Sequence, residues 1–354
     1  MPETPRRILV IKPSALGDVV HALPTLSSLR VSFPEAKIAW LIRPEYAPLL
    51  RYTHNLDEII LFDRKRLGRW WCSATAAVEL ARLLRTLRGQ RFDCVIDLQG
   101  LFRTALFSAL TGCRHRYGFR ATREGACWLY SHRVVLPATC VHVIDSYWEI
   151  AKAAGTAIRS HDYGLHVTED SRWEAAQFLE ETGCRSGSYG VLVPGSAQNW
   201  KCWPLDRFAE LAEKMTQDLG LSVVAVGTEG ERPIIEKLVS LCRVPIVNLA
   251  GRTNIGQLIA VMAGAKVAIS NDTGPGHIAV AVGTPTAMIF GPTNPARVGP
   301  YGRPEWVAAV DPHGRGRIIN NFDPRYRIEN IAVDQVLGIV RGQLGENDIK
   351  LTIE

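Results

Sequence analysis

The strongest candidate for a functional segment in this chain is residues 270–277, with the sequence Ser-Asn-Asp-Thr-Gly-Pro-Gly-His. An apolar run at residues 265–269 precedes them and is typical of a buried parallel strand. A helix is predicted over residues 277–282. Unpaired N–H groups and the positive end of the helix dipole favour an anion where such a helix begins. Two roles therefore fit Asp272 and Thr273: caps of this helix, or parts of a diphosphate site.

Three more side chains follow predicted strands. Asp18 begins a helix after the strand at residues 7–12, where a carboxylate could take a proton from an attacking hydroxyl or serve as a helix cap. Lys201 follows the predicted strand Tyr189–Val193 and lies between two tryptophans. It fits a point cation for phosphate, or a surface lysine that covers aromatic rings. Glu231 could accept hydrogen bonds from ribose hydroxyls or be a first-turn helix acid.

Positive charge is concentrated in residues 60–133, which hold fourteen Arg or Lys residues against five acids, although the whole chain carries only +6. Such a surface predicts an anionic partner: a phosphorylated substrate, an anionic lipid face or nucleic acid. Nucleic acid is not expected, because no aromatic residues are interleaved at a recognisable spacing. Four arginines recur every three residues and fit the solvated face of one helix; these are Arg82, Arg85, Arg88 and Arg91.

Composition and missing motifs exclude several classes of protein. The 354 residues predict two domains, and no apolar run is long enough to predict a transmembrane helix. Residues 1–7 have no apolar core typical of a secretory signal. Eight cysteines without Cys-x-x-Cys pairs predict reduced, cytosolic thiols and no zinc site. The absence of Gly-x-Gly-x-x-Gly, Gly-Lys and Asp-x-Asp argues against a dehydrogenase, an NTPase and a metal-dependent transferase.

The elements that must position these residues alternate between strand and helix. Strands are predicted at residues 7–12, Lys37–Ile42, 58–62, 92–98, 133–136, Tyr189–Val193, 222–227, 245–249, 265–269 and Thr286–Phe290. Helices are predicted at residues 18–30, 74–88, 144–154, 171–182, Leu205–Leu219, 231–241, 255–262 and 277–282. This alternation predicts an α/β fold of two Rossmann-like, doubly wound parallel sheets, whose strand carboxyl ends face a central cleft.

The predicted boundaries follow from a linker at residues 156–165. Residues 1–163 form an acceptor-binding domain, and residues 164–330 form a nucleotide-sugar-binding domain. Residues 331–354 form a C-terminal helix and tail that pack back on the first domain, with a polar tail that frays from Gly345 onward.

Residues 12–24, Lys-Pro-Ser-Ala-Leu-Gly-Asp-Val-Val-His-Ala-Leu-Pro, resemble the opening of the lipopolysaccharide heptosyltransferases of glycosyltransferase family 9, and within it heptosyltransferase I. Asp-Thr-Gly-x-x-His at residues 272–277, with residues 290–293 and 299–302, resembles the ADP-binding signature of that family. Matches also occur at residues 95–101, 117–120 and 201–204. The resemblance extends from about residue 7 to about residue 340.

The resemblance implies a GT-B fold and an inverting, metal-independent enzyme without a cofactor. The donor would be ADP-heptose and the acceptor the inner Kdo of Kdo-lipid A, at the cytoplasmic face of the inner membrane. By position, Asp18 resembles the catalytic base. The nucleotide-sugar ligands implied in the same way are Ser196, Lys201, Glu231, Asp272, Thr273, Gly274 and His277. Ala197 stands where a second hydroxyl is common beside Ser196, which could weaken one phosphate contact. The pair Pro275-Gly276 also departs from the common pattern, and this departure leaves the sugar open.

Such an acceptor is anionic, because lipid A carries phosphates and Kdo carries carboxylates. Its predicted ligands are the basic residues on first-half loops, and these are Arg64, Lys65, Arg66, Arg120 and Arg123. Two alternatives stay open. One is a family member that uses another donor or acceptor, and the other is a catalytically silent protein that binds a nucleotide or a lipid.

Overall fold

Two all-parallel sheets of six strands each form the framework of the chain, and the computed structural model describes residues 4–345. These residues divide into two units between Leu165 and His166. Each unit alternates strands and helices, so the α/β prediction is confirmed. Among residues 4–345, no helix combines the length and apolarity needed to cross a bilayer.

The first unit has the strand order β3-β2-β1-β4-β5-β6. Its strands are β1 (Arg7–Ile11), β2 (Lys37–Ile42), β3 (Glu58–Leu61), β4 (Cys94–Asp97), β5 (Arg116–Phe119) and β6 (His132–Val134). Its helices are α1 (Leu16–Ser32), α2 (Ala47–Leu50), α3 (Arg64–Leu67), α4 (Ala74–Gly89), α5 (Phe102–Leu110) and α6 (Val143–Ala153).

Burial explains why these segments take these forms. The apolar β1 is central and buried, as expected for a parallel strand that is covered on both faces. Helix α4 buries Leu83 and Leu87 in the core near Phe92, whereas Arg85, which lies between them in the sequence, is exposed. The arginine-rich face of α4 is therefore a solvated face, as one interpretation of the sequence expected.

The second unit repeats the arrangement in the order β12-β11-β10-β7-β8-β9. Its strands are β7 (Tyr189–Val193), β8 (Ser222–Ala225), β9 (Ile246–Asn248), β10 (Val267–Asn271), β11 (Thr286–Phe290) and β12 (Val307–Ala309). Its helices are α7 (Glu169–Glu180), α8 (Leu205–Leu219), α9 (Arg232–Leu241), α10 (Ile255–Gly264), α11 (Gly274–Ala281), α12 (Pro295–Val298) and α13 (Val333–Gln343).

The C-terminal helix α13 differs from its predicted position. Val336, Leu337 and Val340 are buried in the same core as Phe208 and Ile289, and α13 packs on α8, β11 and β12. The helix therefore completes the second unit, whereas the sequence analysis predicted packing on the first. The predicted frayed tail beyond Gly345 lies outside the described residues.

In each unit, the strand order reverses beside a central strand: between β1 and β4 in the first, and between β7 and β10 in the second. Ligands of open α/β sheets bind at the carboxyl ends of the strands at such switch points. The segments that follow β1, β7 and β10 are therefore the places to look for a site. Asp18 lies in the first turn of α1 after β1, Lys201 follows β7, and Asp272 follows β10.

Candidate functional site

Asn271, the last residue of β10, fixes the loop that carries Lys201. This side chain is fully buried. Its Oδ1 accepts a hydrogen bond from the backbone N–H of Trp203 at 3.1 Å, and its Nδ2 donates to the carbonyl of Pro194 at 2.8 Å. The loop after β7 is thus fastened to β10 near both of its ends. The Trp203 indole adds a third attachment, because its Nε1 donates to the carbonyl of Ile331 at 2.9 Å.

Lys201, Asp272 and His277 form one charged group at this edge. The Lys201 Nζ donates to Asp272 Oδ2 at 2.5 Å, and His277 Nε2 lies 3.4 Å from Asp272 Oδ1. Asp272 and His277 are buried, whereas Lys201 keeps 23% of its side chain exposed. Burial raises the pKa of Asp272, but the His277 hydrogen bond and the Lys201 charge outweigh it and lower that pKa to about 2.

Neither predicted cap covers the start of α11. Thr273 occupies the N-cap position, but its side chain makes no cap hydrogen bond, and Asp272 is engaged by Lys201 and His277. The helix begins at Gly274, three residues before the predicted start. N–H groups in the first turn of a helix have no partner within the helix, so those of Gly274 and Gly276 are placed to bind an anion.

Gly276 explains one departure from the family pattern. A Cβ at this position would overlap the side chain of Ser270 on β10. Only glycine therefore permits α11 to lie this close to the strand. Pro275 is compatible with helix formation, because the first turn does not need its missing N–H.

Glu231 and Ser196 lie on adjacent loops of the second unit. Glu231 caps a short turn, since its Oε2 accepts from the backbone N–H of Thr228 at 2.7 Å and from the Thr228 hydroxyl at 2.9 Å. Its Oε1 lies where a Cβ on Gly195 would be, so Glu231 covers the start of the Lys201 loop. The half-buried Ser196 hydroxyl has no hydrogen bond among the described residues. These contacts support the capping interpretation of Glu231 and leave its Oε1 without a hydrogen bond among the described residues.

In the first unit, Asp18 lies in the first turn of α1. Its Oδ2 accepts a hydrogen bond from the backbone N–H of Ala15 at 3.2 Å and lies 3.6 Å from the Nζ of Lys12. Among the described residues, no partner contacts Oδ1, and 41% of the side chain is exposed. Asp18 therefore caps its helix with one oxygen and presents the other to solvent, which is compatible with both predicted roles.

Lys12 is a functional candidate that sequence reasoning missed. Its side chain is 4% exposed, and its Nζ lies 5.3 Å from the centre of the Tyr147 ring. Burial lowers the pKa of Lys12, but the Asp18 charge, Tyr147 and Asp97 together raise it by more. The pKa therefore lies above the usual value for lysine. A buried ammonium group thus holds the Asp18 carboxylate. The available signal was a lysine directly after an apolar strand and six residues before Asp18.

The predicted acceptor residues form two groups in the first unit. Helix α3 carries Arg64, Lys65 and Arg66, and the Asp63 carboxylate caps it by accepting from the Arg66 N–H at 3.0 Å. Arg66 also pairs with Glu79 on α4. Lys65 and Arg66 line a groove of about 400 Å³, which Arg64 does not line.

The second basic group is Arg120 and Arg123, which follow β5 and are exposed. The α3 group follows β3. Both β3 and β5 lie two strands from β1, so each group starts about 10 Å from the β1 axis on opposite sides. The structure therefore does not gather the five residues into one cluster. It places them on either side of the strand that leads to Asp18.

A buried arginine orders part of the expected ADP-binding signature. Arg315 Nη1 donates to the carbonyls of Gly291 and Thr293 at 2.6 and 3.1 Å, and its guanidinium lies 4.0 Å from the centre of the Tyr326 ring. Residues 290–293 are thereby held at the end of β11. Within residues 4–345, no three His, Cys, Asp or Glu side chains are grouped so that they could hold a metal ion.

Residues 80–312 match the family model described as glycosyltransferase family 9 (heptosyltransferase). The lipopolysaccharide core heptosyltransferase OpsX of Haemophilus influenzae is 28% identical over 312 residues, 87% of this chain and 85% of the relative. Lipopolysaccharide heptosyltransferase 1 of Escherichia coli strain K12 is 27% identical over 85% of this chain and 92% of the relative. The structure of E. coli heptosyltransferase WaaC with ADP has a TM-score of 0.76 at 22% identity and covers 95% of this chain and 99% of that one.

Proposed function

Since the chain belongs to glycosyltransferase family 9, the heptosyltransferases, we propose that it transfers L-glycero-D-manno-heptose from ADP-heptose to the inner Kdo of Kdo-lipid A. This reaction builds the inner core of lipopolysaccharide. The observation that carries the proposal is the Lys201 ammonium group beside the uncapped start of α11. A cation and free N–H groups at a switch point suit the diphosphate of a nucleotide sugar.

The donor ligands are proposed from the second unit. Lys201 exchanges its Asp272 partner for a phosphate oxygen, and the N–H groups of Gly274 and Gly276 bind the same diphosphate. Ser196 and Thr273 add hydroxyl donors. Asp272 is a carboxylate with a low pKa, so it would repel phosphate directly.

We therefore assign Asp272 and His277 to hydroxyl groups of the heptose, and Asp272 orients Lys201 until the donor binds. Glu231 is assigned to the ribose, because its Oε1 faces the start of the Lys201 loop. Carboxylates accept hydrogen bonds from sugar hydroxyls, which makes both assignments chemically consistent.

The proposed reaction is a single displacement at the anomeric carbon. The acceptor hydroxyl loses its proton to Asp18 Oδ1 while its oxygen forms the new bond to that carbon. The bond from the same carbon to the ADP phosphate oxygen breaks, and the configuration inverts. Negative charge then grows on ADP, and Lys201 and the α11 N–H groups stabilise it more in the transition state than in the ground state. In the proposal these fixed charges perform this task without a metal ion.

The acceptor is assigned to the basic residues of the first unit. Lipid A phosphates and Kdo carboxylates are separated anionic groups, which suits two basic groups on opposite sides of β1. Arg64, Lys65 and Arg66 form one group, and Arg120 and Arg123 form the other. The protein would then work as a peripheral enzyme on the anionic cytoplasmic face of the inner membrane.

A donor screen tests the proposal. Purified protein with Kdo-lipid A is offered ADP-L-glycero-D-manno-heptose, its D-glycero isomer, ADP-glucose and UDP-glucose, with and without EDTA. We expect ADP release and a heptosylated product with the first donor, unchanged by EDTA, with the anomeric configuration inverted by NMR. Turnover of another donor alone would assign a different sugar. No turnover with any donor, with ADP still raising the melting temperature, would indicate a binding protein.

A further inference from the structure

A second basic site lies on the first unit, away from the residues assigned above. It is a cavity of about 780 Å³, within the range of small-molecule sites. Its charged and titratable lining residues other than cysteine are Arg85, Arg88, Arg91, Asp93, Arg114 and His115.

The arginines reach this cavity from two separate chain segments. Arg85 and Arg88 lie in the last turns of α4, Arg91 follows that helix, and Arg114 lies in the turn before β5. All four are exposed, and among the described residues none of their side chains has an ion pair or a hydrogen bond. A solvated helix face explains the exposure of Arg85 and Arg88, but it does not explain why Arg114, from the turn before β5, lines the same cavity.

Little negative charge offsets these arginines. Among the described residues that line the cavity, Asp93 is the one carboxylate, and its Oδ2 accepts hydrogen bonds from the backbone N–H groups of Arg6 and Arg7 at 2.9 and 3.0 Å. His115 also lines the cavity, although its Nδ1 is buried. Arg91 has a φ of +49°, a conformation that is uncommon for residues other than glycine.

The cavity lies at the opposite edge of the sheet from Asp18. Its residues precede β4 and β5, whereas Asp18 follows the carboxyl end of β1, and all these strands are parallel. Strands of four or five residues separate the two edges by about 13 to 17 Å. The cavity is therefore not an extension of the proposed acceptor site.

We propose that this cavity is a separate anion site that binds a phosphate group. Guanidinium groups bind phosphate through paired N–H donors, and several unpaired arginines around one concavity favour a multiply charged phosphate over a single carboxylate. The phosphate belongs to a small soluble compound or to a lipid headgroup. The site does not depend on the transferase activity proposed above.

The test compares two double variants with equal changes in charge. Arg88→Glu/Arg114→Glu reverses charge in the cavity from both chain segments. Arg82→Glu/Arg172→Glu is the control, because both arginines are exposed and neither lines the cavity. A third variant, Arg88→Gln/Arg114→Gln, removes the cavity charges without reversing them. Circular dichroism and the melting temperature check that each protein is folded.

Two probes distinguish the sources of phosphate. Inorganic pyrophosphate is titrated into each protein by calorimetry, where any binding at Lys201 is common to all of them. Flotation then uses vesicles of phosphatidylcholine with or without phosphatidylglycerol.

We expect the cavity variants to lose at least tenfold in affinity for one probe while the control variant matches the wild type. Loss of pyrophosphate binding would identify a soluble phosphate compound, and loss of flotation with anionic vesicles alone would identify a lipid headgroup. Equal behaviour of cavity and control variants with both probes would overturn the proposal.

Discussion

Asp18 uses its two carboxylate oxygens differently. Oδ2 accepts from the Ala15 N–H and faces Lys12, whereas Oδ1 has no partner among the described residues. An amide at this position retains one oxygen that can accept the Ala15 N–H, but it cannot take up a proton in the reaction. One substitution can therefore separate the capping role of Asp18 from its proposed role as catalytic base.

Asp18→Asn should reduce kcat by roughly two to four orders of magnitude, the usual effect of losing a general base. ADP affinity should stay close to that of the wild type, because the proposed donor residues lie in the second unit. The melting temperature should fall, because the buried Lys12 ammonium group loses the charge of Asp18 although the helix cap is retained. Steady-state kinetics measure kcat, ADP titration measures the affinity, and thermal unfolding measures the melting temperature. Asp206→Asn, which alters another acid in the first turn of a helix, is the matched control. Near-normal turnover in Asp18→Asn would leave Asp18 as a helix cap only.

The low pKa of Asp272 predicts an acid-dependent contribution to stability. The pKa is about 2 in the folded protein against an ordinary 3.8, so the unfolded chain binds the proton more readily. The contribution is therefore fully present above pH 3.8 and is lost as the pH falls through 2. It amounts to about 2 kcal/mol, of which about 1 kcal/mol is lost between pH 7 and pH 3.

Asp272→Asn should remove this pH dependence. Urea unfolding followed by tryptophan fluorescence at pH 7 and pH 3 should show a smaller loss of stability in the variant than in the wild type, by about 1 kcal/mol. Asp170→Asn alters an exposed acid in the first turn of α7 and is the control. An identical loss in Asp272→Asn and the wild type would contradict the assigned ion pair.

Lys12 and Arg315 mark the limit of prediction from residue types. Lys12 is buried partly by Tyr147, which lies far away in the sequence. Arg315 is held by carbonyls of residues 291, 293 and 310. In the sequence, Arg315 looks like an ordinary surface cation, and Lys12 is marked only by its position after an apolar strand, because only the folded chain brings their partners together. Asp18, Lys201 and Asp272 were easier to find, since each follows a predicted strand.

At the scale of elements, hydrophobic runs predicted most strands and long helices. Lys37–Ile42, Tyr189–Val193, Thr286–Phe290 and Leu205–Leu219 have the predicted bounds. The strand β5 was missed because its sequence, Arg-Tyr-Gly-Phe, has a glycine where a strand usually has a bulky side chain. A Cβ at Gly118 would overlap the ring of Tyr130. Packing against a residue distant in the sequence therefore explains the glycine, and the local sequence pattern could not have predicted it.

The start of α11 was misplaced for a similar reason. Proline and glycine both disfavour the interior of a helix, so Pro275 and Gly276 pointed to a later start. In the first turn proline is tolerated, and Gly276 is required by the contact with Ser270. The N–H groups proposed to bind phosphate consequently belong to residues that the sequence placed in a turn.

The attachment of the β7 loop to β10 gives a prediction at this scale. Asn271→Ala would leave the Trp203 N–H and the Pro194 carbonyl buried without partners, at a cost of roughly 2 to 4 kcal/mol. ADP affinity should also fall, because the loop that carries Lys201 loses its anchor. Thermal unfolding and calorimetry measure the two effects. Asn248→Ala, at the end of β9, removes a local hydrogen bond to the Ala250 N–H and should leave ADP affinity unchanged. Equal ADP affinity in both variants would show that the loop does not need the anchor.

At the scale of the whole molecule, the alternation of strand and helix was sufficient to predict two Rossmann-like units, and the GT-B assignment is confirmed by the match to heptosyltransferase structures. Charge concentration also predicted where basic surface would occur. The sequence could not predict that the five acceptor candidates divide into two groups. Their separation depends on the order of the strands in the sheet, and local sequence patterns do not determine that order.

This charge distribution predicts how substitutions in α3 change the KM for the proposed acceptor. Arg64→Glu/Lys65→Glu should raise the KM for a deacylated, water-soluble Kdo-lipid A, and added salt should raise the wild-type KM in the same direction. Arg66 is left intact because it pairs with Glu79. ADP affinity should not change. Arg172→Glu/Arg185→Glu, on exposed positions of the second unit, is the matched control. An unchanged KM in the α3 variant would assign this group to solubility or membrane contact.

The position of α13 has a consequence for synthesis of the chain on the ribosome. The first unit has all of its elements once residue 153 has been made, whereas the core around β7 waits for Val336, Leu337 and Val340. At 5 to 20 residues per second, roughly 7 to 30 s pass between translation of Leu192 and of Val340. During that interval, the nascent second unit exposes apolar surface beside a first unit that is already able to fold. We therefore expect its nascent chains to depend on chaperones until α13 is made, which ribosome profiling of chaperone-bound chains would detect.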